Sequence, residues 1–152
     1  MSFSITGLTK VVKYIITDDG FIFYDKHGSI PDPQNAYWNG DLYLYHYDGK
    51  SLKGLPGAVN GALNLNTYEG KSLEGLPDIV YGDLDLRSYN GKTLEGMSKI
   101  MRGILGLDSY KGNDFSNLPK EYFGLYVYDQ WYTKDQFDDY WKTKRLKRAL
   151  LD

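Results

Sequence analysis

The chain has 152 residues, with 18 Lys and Arg against 20 Asp and Glu. Its formal net charge of -2 gives neither the basic footprint of a protein whose whole surface tracks nucleic acid nor the acidic excess of a disordered tail. The absence of cysteine excludes disulfides, thiolate metal sites and cysteine nucleophiles, and two histidines, His27 and His46, leave no multi-histidine metal centre. Hydrophobic content of 41% and 15 tyrosines, with no apolar run long enough to span a membrane, predict one soluble domain over residues 1–152. The first residues lack the basic-then-apolar order of a signal peptide, so a reducing, cytoplasmic setting is expected.

Residues 4–17, SITGLTKVVKYIIT, are apolar and fit a short helix or an edge strand, ended by the turn Asp18-Asp19-Gly20. Gly20-FIFYDKHG then imitates the start of a repeat, with Ile22 and Tyr24 in inward positions. Ile30-Pro31 and Trp38 echo later repeat positions. Residues 1–39 therefore read as an N-terminal cap that ends in a degenerate coil.

From residue 40 the chain repeats every 21 residues, with lead glycines at 40, 61, 82, 103 and 124. The shared pattern is G-x-L-x-L-x-x-Y-x-G-K-S/T-L-x-G-L-P-x-x-V. Its alternating start has the period of a strand, so Leu42 and Leu44, Leu63 and Leu65, Leu84 and Leu86, Leu105 and Leu107 should turn inward together. The glycine at unit position ten (Gly49, Gly70, Gly91, Gly112) suits a turn of positive φ. Further along, Leu52, Leu73, Leu94 and Phe115, then Leu55, Leu76, Met97 and Leu118, then Val59, Val80 and Met101 point inward again. One such unit cannot bury both its sides, but a stack of them can. The prediction is a mainly β fold, a leucine-rich-repeat-like or β-solenoid stack with one parallel strand per coil over 40–132.

Two columns run beside the leucines. Tyr47, Tyr68, Tyr89 and Tyr110, with Trp131 in the fifth unit, predict an aromatic ladder at the strand exit. Lys50, Lys71 and Lys92 should splay into water, since stacked like charges repel. The GKS and GKT triplets they belong to lack the preceding glycine of a phosphate loop, with Leu44, Leu65 and Leu86 in its place, and recur as a turn.

L-x-L-x-x-Y followed by L-x-G-L-P resembles the short leucine-rich repeats of bacterial and phage proteins, over residues 40–132. In that family the tyrosine is asparagine or cysteine, so its asparagine ladder is replaced here. The resemblance implies a protein-binding scaffold and brings no catalytic residue and no cofactor. It further suggests a phage or bacterial protein that sequesters or inhibits a host protein.

After the repeats the period changes. Thr133-Lys134-Asp135-Gln136 fits a capping box and predicts a helix from about 134 to the end. Phe137, Tyr140 and Trp141 share one face and should plug the open end of the stack. Leu146, Ala149 and Leu150 fall on another face. With Lys144, Arg145 and Arg148 they form a candidate docking helix for an acidic partner, for nucleic acid or for a second copy of the chain.

Unit positions two, four and six point away from the core and differ from coil to coil, as positions shaped by a ligand would. Position two runs Asp41, Ala62, Asp83, Ile104, Leu125; position four Tyr43, Asn64, Asp85, Gly106, Val127; position six Tyr45, Asn66, Arg87, Asp108, Asp129. The expected partner-binding residues are Tyr43, Tyr45, Asn64, Asn66, Asp85, Arg87 and Asp108, with tyrosine anchors at one end and a charged centre. A carbohydrate-binding surface on the exposed tyrosines is the alternative. Asp83 and Asp85, two residues apart on a strand, have the spacing of a glycosidase pair, but solvated strand faces commonly carry such aspartates. No Ser–His–Asp arrangement accompanies His46, and no catalytic or metal-binding set is expected.

Overall fold

The computed structural model describes residues 5–151. The 21-residue units stack in parallel, each leucine above its equivalent: Leu42 pairs with Leu63, Leu63 with Leu84 and Leu84 with Leu105. The result is a β-solenoid of about four turns. One six-stranded sheet is built on these leucines. Its order is β12 (Gln130–Thr133), β11 (Gly124–Val127), β10 (Ile104–Leu107), β8 (Leu84–Asp85), β6 (Leu63–Asn64), β4 (Leu42–Tyr43).

A second short strand in each coil goes beyond the single strand expected. It covers the valine positions before each lead glycine. The order of this second sheet is β2 (Gly20–Asp25), β1 (Thr9–Thr17), β3 (Ala36–Asn39), β5 (Ala58–Asn60), β7 (Ile79–Val80), β9 (Ile100–Met101). The lead glycine is the corner between the sheets. A Cβ on Gly61 would lie 2.5 Å from the Gly40 carbonyl carbon, and one on Gly82 2.7 Å from the Ala62 nitrogen. Only a residue without a side chain lets backbone pack on backbone there.

The tyrosine ladder forms as expected for four members. Tyr47, Tyr68, Tyr89 and Tyr110 are buried, with ring centroids 6.4, 6.4 and 6.3 Å apart and planes within 13°. That spacing exceeds the ~4.8 Å between paired strands, so the coils fan apart at this corner. Hydroxyls bridge the wider gap: Thr67 donates to the Tyr47 carbonyl at 2.7 Å and Ser88 to the Asn66 carbonyl at 2.6 Å.

The glycines at position ten have a different reason from the one expected. None of Gly49, Gly70, Gly91 or Gly112 has positive φ; within the repeats positive φ falls on Gly40 and on Gly54, Gly75 and Gly96 of the L-x-G-L turns. Each position-ten glycine instead lies against the phenol two residues before it. The lysines of the GKS turns are exposed, Lys50 pairing loosely with Glu69 of the next coil at 3.8 Å.

Both ends are covered. At the N-terminus, β1 is a strand and pairs antiparallel with β2, while also joining β3 in parallel. Trp38 does take the valine position, paired with Val59. The inward residues of β2 are Phe21 and Phe23, not Ile22 and Tyr24, and Ile30 is exposed. The strand is phased by its partner β1, and this phase puts the ring of Phe21 4.4 Å from that of Tyr47, closing the end of the ladder. At the other end α1 (Lys134–Leu151) begins at the capping box: the Gln136 N–H donates to Thr133 Oγ1 at 3.2 Å and the Thr133 N–H to Gln136 Oε1 at 3.0 Å. Phe137 is fully buried against Phe115, ring centroids 4.9 Å apart, and Trp141 lies 5.3 Å from the same ring.

The fifth unit slips by one residue. Gly124 pairs with Ile104, Leu125 with Leu105 and Val127 with Leu107, a spacing of 20 rather than 21. Leu125 and Val127 are therefore core residues, and Tyr126 points outward. The slip arises because Tyr122, buried in the valine position, is followed by only two residues before the next inward leucine, where Met101 is followed by three. Trp131 consequently leaves the ladder. Tyr128 and Asp129 adopt φ of 53° and 60° and reverse the chain, so that Trp131 lies on the antiparallel strand β12 facing Tyr126.

Candidate functional site

Of the seven residues expected on the outward face of the leucine sheet, Asp85, Arg87 and Asp108 line one hollow, Tyr43 and Tyr45 stack at the first coil, and Asn64 and Asn66 between them are half-buried, Asn66 Oδ1 fully so. Their fixed geometry comes from a recurrent use of side chains to bind backbone. Asp41 Oδ1 accepts the Ala62 N–H of the next coil at 2.8 Å, and Asp83 Oδ1 accepts that of Ile104 at 2.8 Å. These bonds tie position two of one coil to the next. Asn64 Oδ1 accepts the N–H of Asn66 at 3.0 Å, and Asp85 Oδ1 that of Arg87 at 3.1 Å, each a local Asx turn at the strand exit.

At the first-coil end, the rings of Tyr43 and Tyr45 stack 5.2 Å apart and 11° from parallel while both stay nearly half exposed. The Tyr43 hydroxyl donates to Asp41 Oδ2 at 2.7 Å, which pulls the Asp41 carboxyl below its ordinary range, after the larger effect of the Ala62 N–H, and raises the phenol. Trp38 adjoins them, its Nε1 donating to the Asp41 carbonyl at 3.1 Å.

The centre is charged. Arg87 grips Asp85 through Nη2 to Oδ2 at 2.7 Å and Nε to Oδ1 at 3.1 Å, a planar two-point pairing. Hydrogen bonding to Asp85, then its charge, raises the already high guanidinium pKa. Asp108 adds a second negative charge near the same guanidinium. Asp83 is engaged by the Ile104 N–H and Asp85 by the Arg87 guanidinium.

Beyond this centre lies a shallow hollow of about 370 Å³ lined by Asp83, Asp85, Arg87, Ile104, Asp108 and Tyr126, with Gly106 at its floor. A Cβ at Gly106 would sit 3.4 Å from Asp85 Oδ1 and 3.8 Å from Asp108 Oδ1, so the missing side chain makes the hollow. Its far wall is aromatic. The Tyr126 ring lies 4.9 Å from Trp131, and Trp131 covers Gly124 closely enough that a Cβ there would be 2.0 Å from it.

The second tyrosine-and-tryptophan wall was not among the expected residues. Its signal is present in the spacing: aligned on the buried Tyr122 rather than on Gly124, the fifth unit places Tyr126 outward beside Gly106. The candidate docking helix lies apart from this face. Lys144 sits 5.3 Å from the Tyr140 ring centroid and Arg145 lies near Asp114, while Leu146 and Leu150 are 57% and 85% exposed. Among the described residues no group of three His, Asp or Glu is arranged to hold a metal ion, and no helix is long and apolar enough to cross a membrane.

Comparison with known proteins returns no matching family model, no similar curated protein and no similar solved structure.

Proposed function

We propose that the chain is a non-enzymatic scaffold that binds a protein partner through the outward face of its leucine sheet. The observation that carries this reading is the contrast between the two sides of one strand. Inward columns repeat leucine on leucine, whereas the outward columns combine exposed aromatic pairs at both ends with a charged hollow between them. Aromatic anchors around a polar centre are the composition of binding hot spots. Over five strands at ~4.8 Å the face extends about 19 Å along the stack.

The resemblance to short bacterial and phage leucine-rich repeats supports a cytoplasmic phage or bacterial protein that sequesters or inhibits a host protein. Immobilised chain incubated with extract of the native host, followed by identification of what co-purifies, tests it. Wild type should retain a discrete partner. Tyr43→Ala, Tyr45→Ala and Arg87→Ala should each weaken capture at least about tenfold, as hot-spot truncations do. Capture that survives all three changes sinks the assignment of this face. Retention of polysaccharide in place of protein would establish the carbohydrate reading.

A further inference from the structure

We infer that the basic end of α1 docks on the strand face of a second copy of this chain. This rests on the reading of that face as a binding surface and assigns it a second occupant. The charge complementarity lies within one sequence. Residues 142–151 hold five Lys and Arg and no Asp or Glu, while residues 1–141 hold 13 basic and 19 acidic residues. On the strand face, Asp41, Asp83, Asp85 and Asp108 oppose the single cation Arg87. Every residue of α1 from Lys142 to Leu150 is exposed, so this segment buries no side chain in its own core, whereas the first two turns are anchored by Phe137 and Trp141.

The dimensions agree. Ten helical residues at 1.5 Å each extend about 15 Å, within the ~19 Å of the face. Arg145 and Arg148, three residues apart, rise about 4.5 Å along the helix, close to the ~4.8 Å from coil to coil. A helix lying along the stack thus presents successive cations to successive coils. The hollow suits a guanidinium or ammonium group in chemistry as well as charge. Asp108 accepts no hydrogen bond from the described residues, Asp83 keeps Oδ2 beside the backbone bond made by Oδ1, and Tyr126, backed by Trp131, offers an aromatic ring to a cation. Leu146 and Leu150, one turn apart, supply apolar anchors of the kind a groove-bound helix uses, and Ile104 lies exposed enough in the hollow to meet one.

Folding back in cis is excluded by the anchor. Phe137 and Trp141 hold the helix at Phe115, on the tyrosine-ladder corner and not on the strand face, and a continuous helix cannot reverse direction. The contact joins two different surfaces, so it is heterologous and builds rings or open chains instead of a two-fold dimer. It is also a competitor: a copy whose face is covered by a neighbour's helix cannot hold another protein there.

Sedimentation velocity of the full chain across a wide concentration range tests this. The expected result is a 17.4 kDa species when dilute that grows with concentration and reverts in about 0.5 M salt, where charges beyond a few ångströms are screened. Lys147→Glu with Arg148→Glu, exposed and far from the core, should weaken association at least about tenfold. Asp108→Lys should do the same, and mixing the two variants should restore a complex because the opposed charges are exchanged. A wild-type chain that stays monomeric throughout, association indifferent to the helix variant, or binding of the helix to anionic vesicles or RNA without self-association overturns the inference. Host-partner capture is read separately: if the wild-type chain captures its partner but never self-associates, only this inference falls.

Discussion

Gly70 lies against the ring of Tyr68 so closely that a Cβ would be 2.1 Å from the phenol oxygen and 2.2 Å from Cζ. The same relation recurs at Gly49, Gly91 and Gly112 with Tyr47, Tyr89 and Tyr110. The ring in turn spans the turn: the Tyr68 hydroxyl donates to the Ser72 carbonyl at 2.6 Å, and Tyr89 to Thr93 at 2.5 Å. Tyrosine and glycine two residues on are one structural unit, the phenol serving as internal hydrogen-bond donor and glycine as the space it needs.

Gly70→Ala should therefore destabilise by about 1–3 kcal/mol, the usual effect of overpacking, with the upper end expected because the ring is held on both faces by Tyr47 and Tyr89. Tyr68→Phe should cost about 1–2 kcal/mol by leaving the Ser72 carbonyl unbonded. In urea denaturation, Gly70→Ala in a Tyr68→Ala background should cost much less than alone, since the clash is removed with the ring. Additive losses would show that the glycine answers to something other than the ring.

Burial pushes Tyr68 and Tyr110 up to about 12, and raises Tyr47 and Tyr89 as well. In the unfolded chain a phenol titrates near ~10. The folded values are raised, so the ladder's contribution is complete below about pH 10 and is lost as pH climbs through about 12. Tyrosinate absorbance should show a late step in this window that coincides with loss of far-ultraviolet dichroism. Titration of every tyrosine in a single step near pH 10, with the fold intact, would contradict the buried ladder.

The register slip in the last coil separates neighbouring residues by their energetic role. Leu125→Ala should cost about 2–5 kcal/mol as a cavity in the core, whereas Tyr126→Ala, one residue on, should change stability by less than about 1 kcal/mol. Comparison of the two urea midpoints checks this, and a reversed order would restore the uninterrupted 21-residue register.

The capping box at the start of α1 is mutual, so Thr133→Ala should lose about 1 kcal/mol and Thr133→Asp should largely retain it. Because Phe137 and Trp141 close the solenoid from this helix, the loss should appear in global unfolding and not as fraying alone. Hydrogen exchange localised to α1 with an unchanged global midpoint would separate the plug from the core.

The sequence by itself determined the stack. An apolar residue at every second position, repeated at constant spacing, has one way to bury all its copies, and Leu42, Leu63 and Leu84 lie one above another as that requires. The ladder of four tyrosines, the capping box and the outward set from Tyr43 to Asp108 were legible for the same reason, since period and phase assign each side chain to a face. Tertiary structure decided what period cannot express. The phase of β2 came from antiparallel pairing with β1, which buries Phe21 and Phe23. The position of the last coil came from packing Tyr122 in the valine slot, which moved Leu125 and Val127 inward and set Tyr126, backed by Trp131, at the side of the hollow. A single-residue shift exchanges the two faces of a strand, and only the contacts at the ends of the stack select between them.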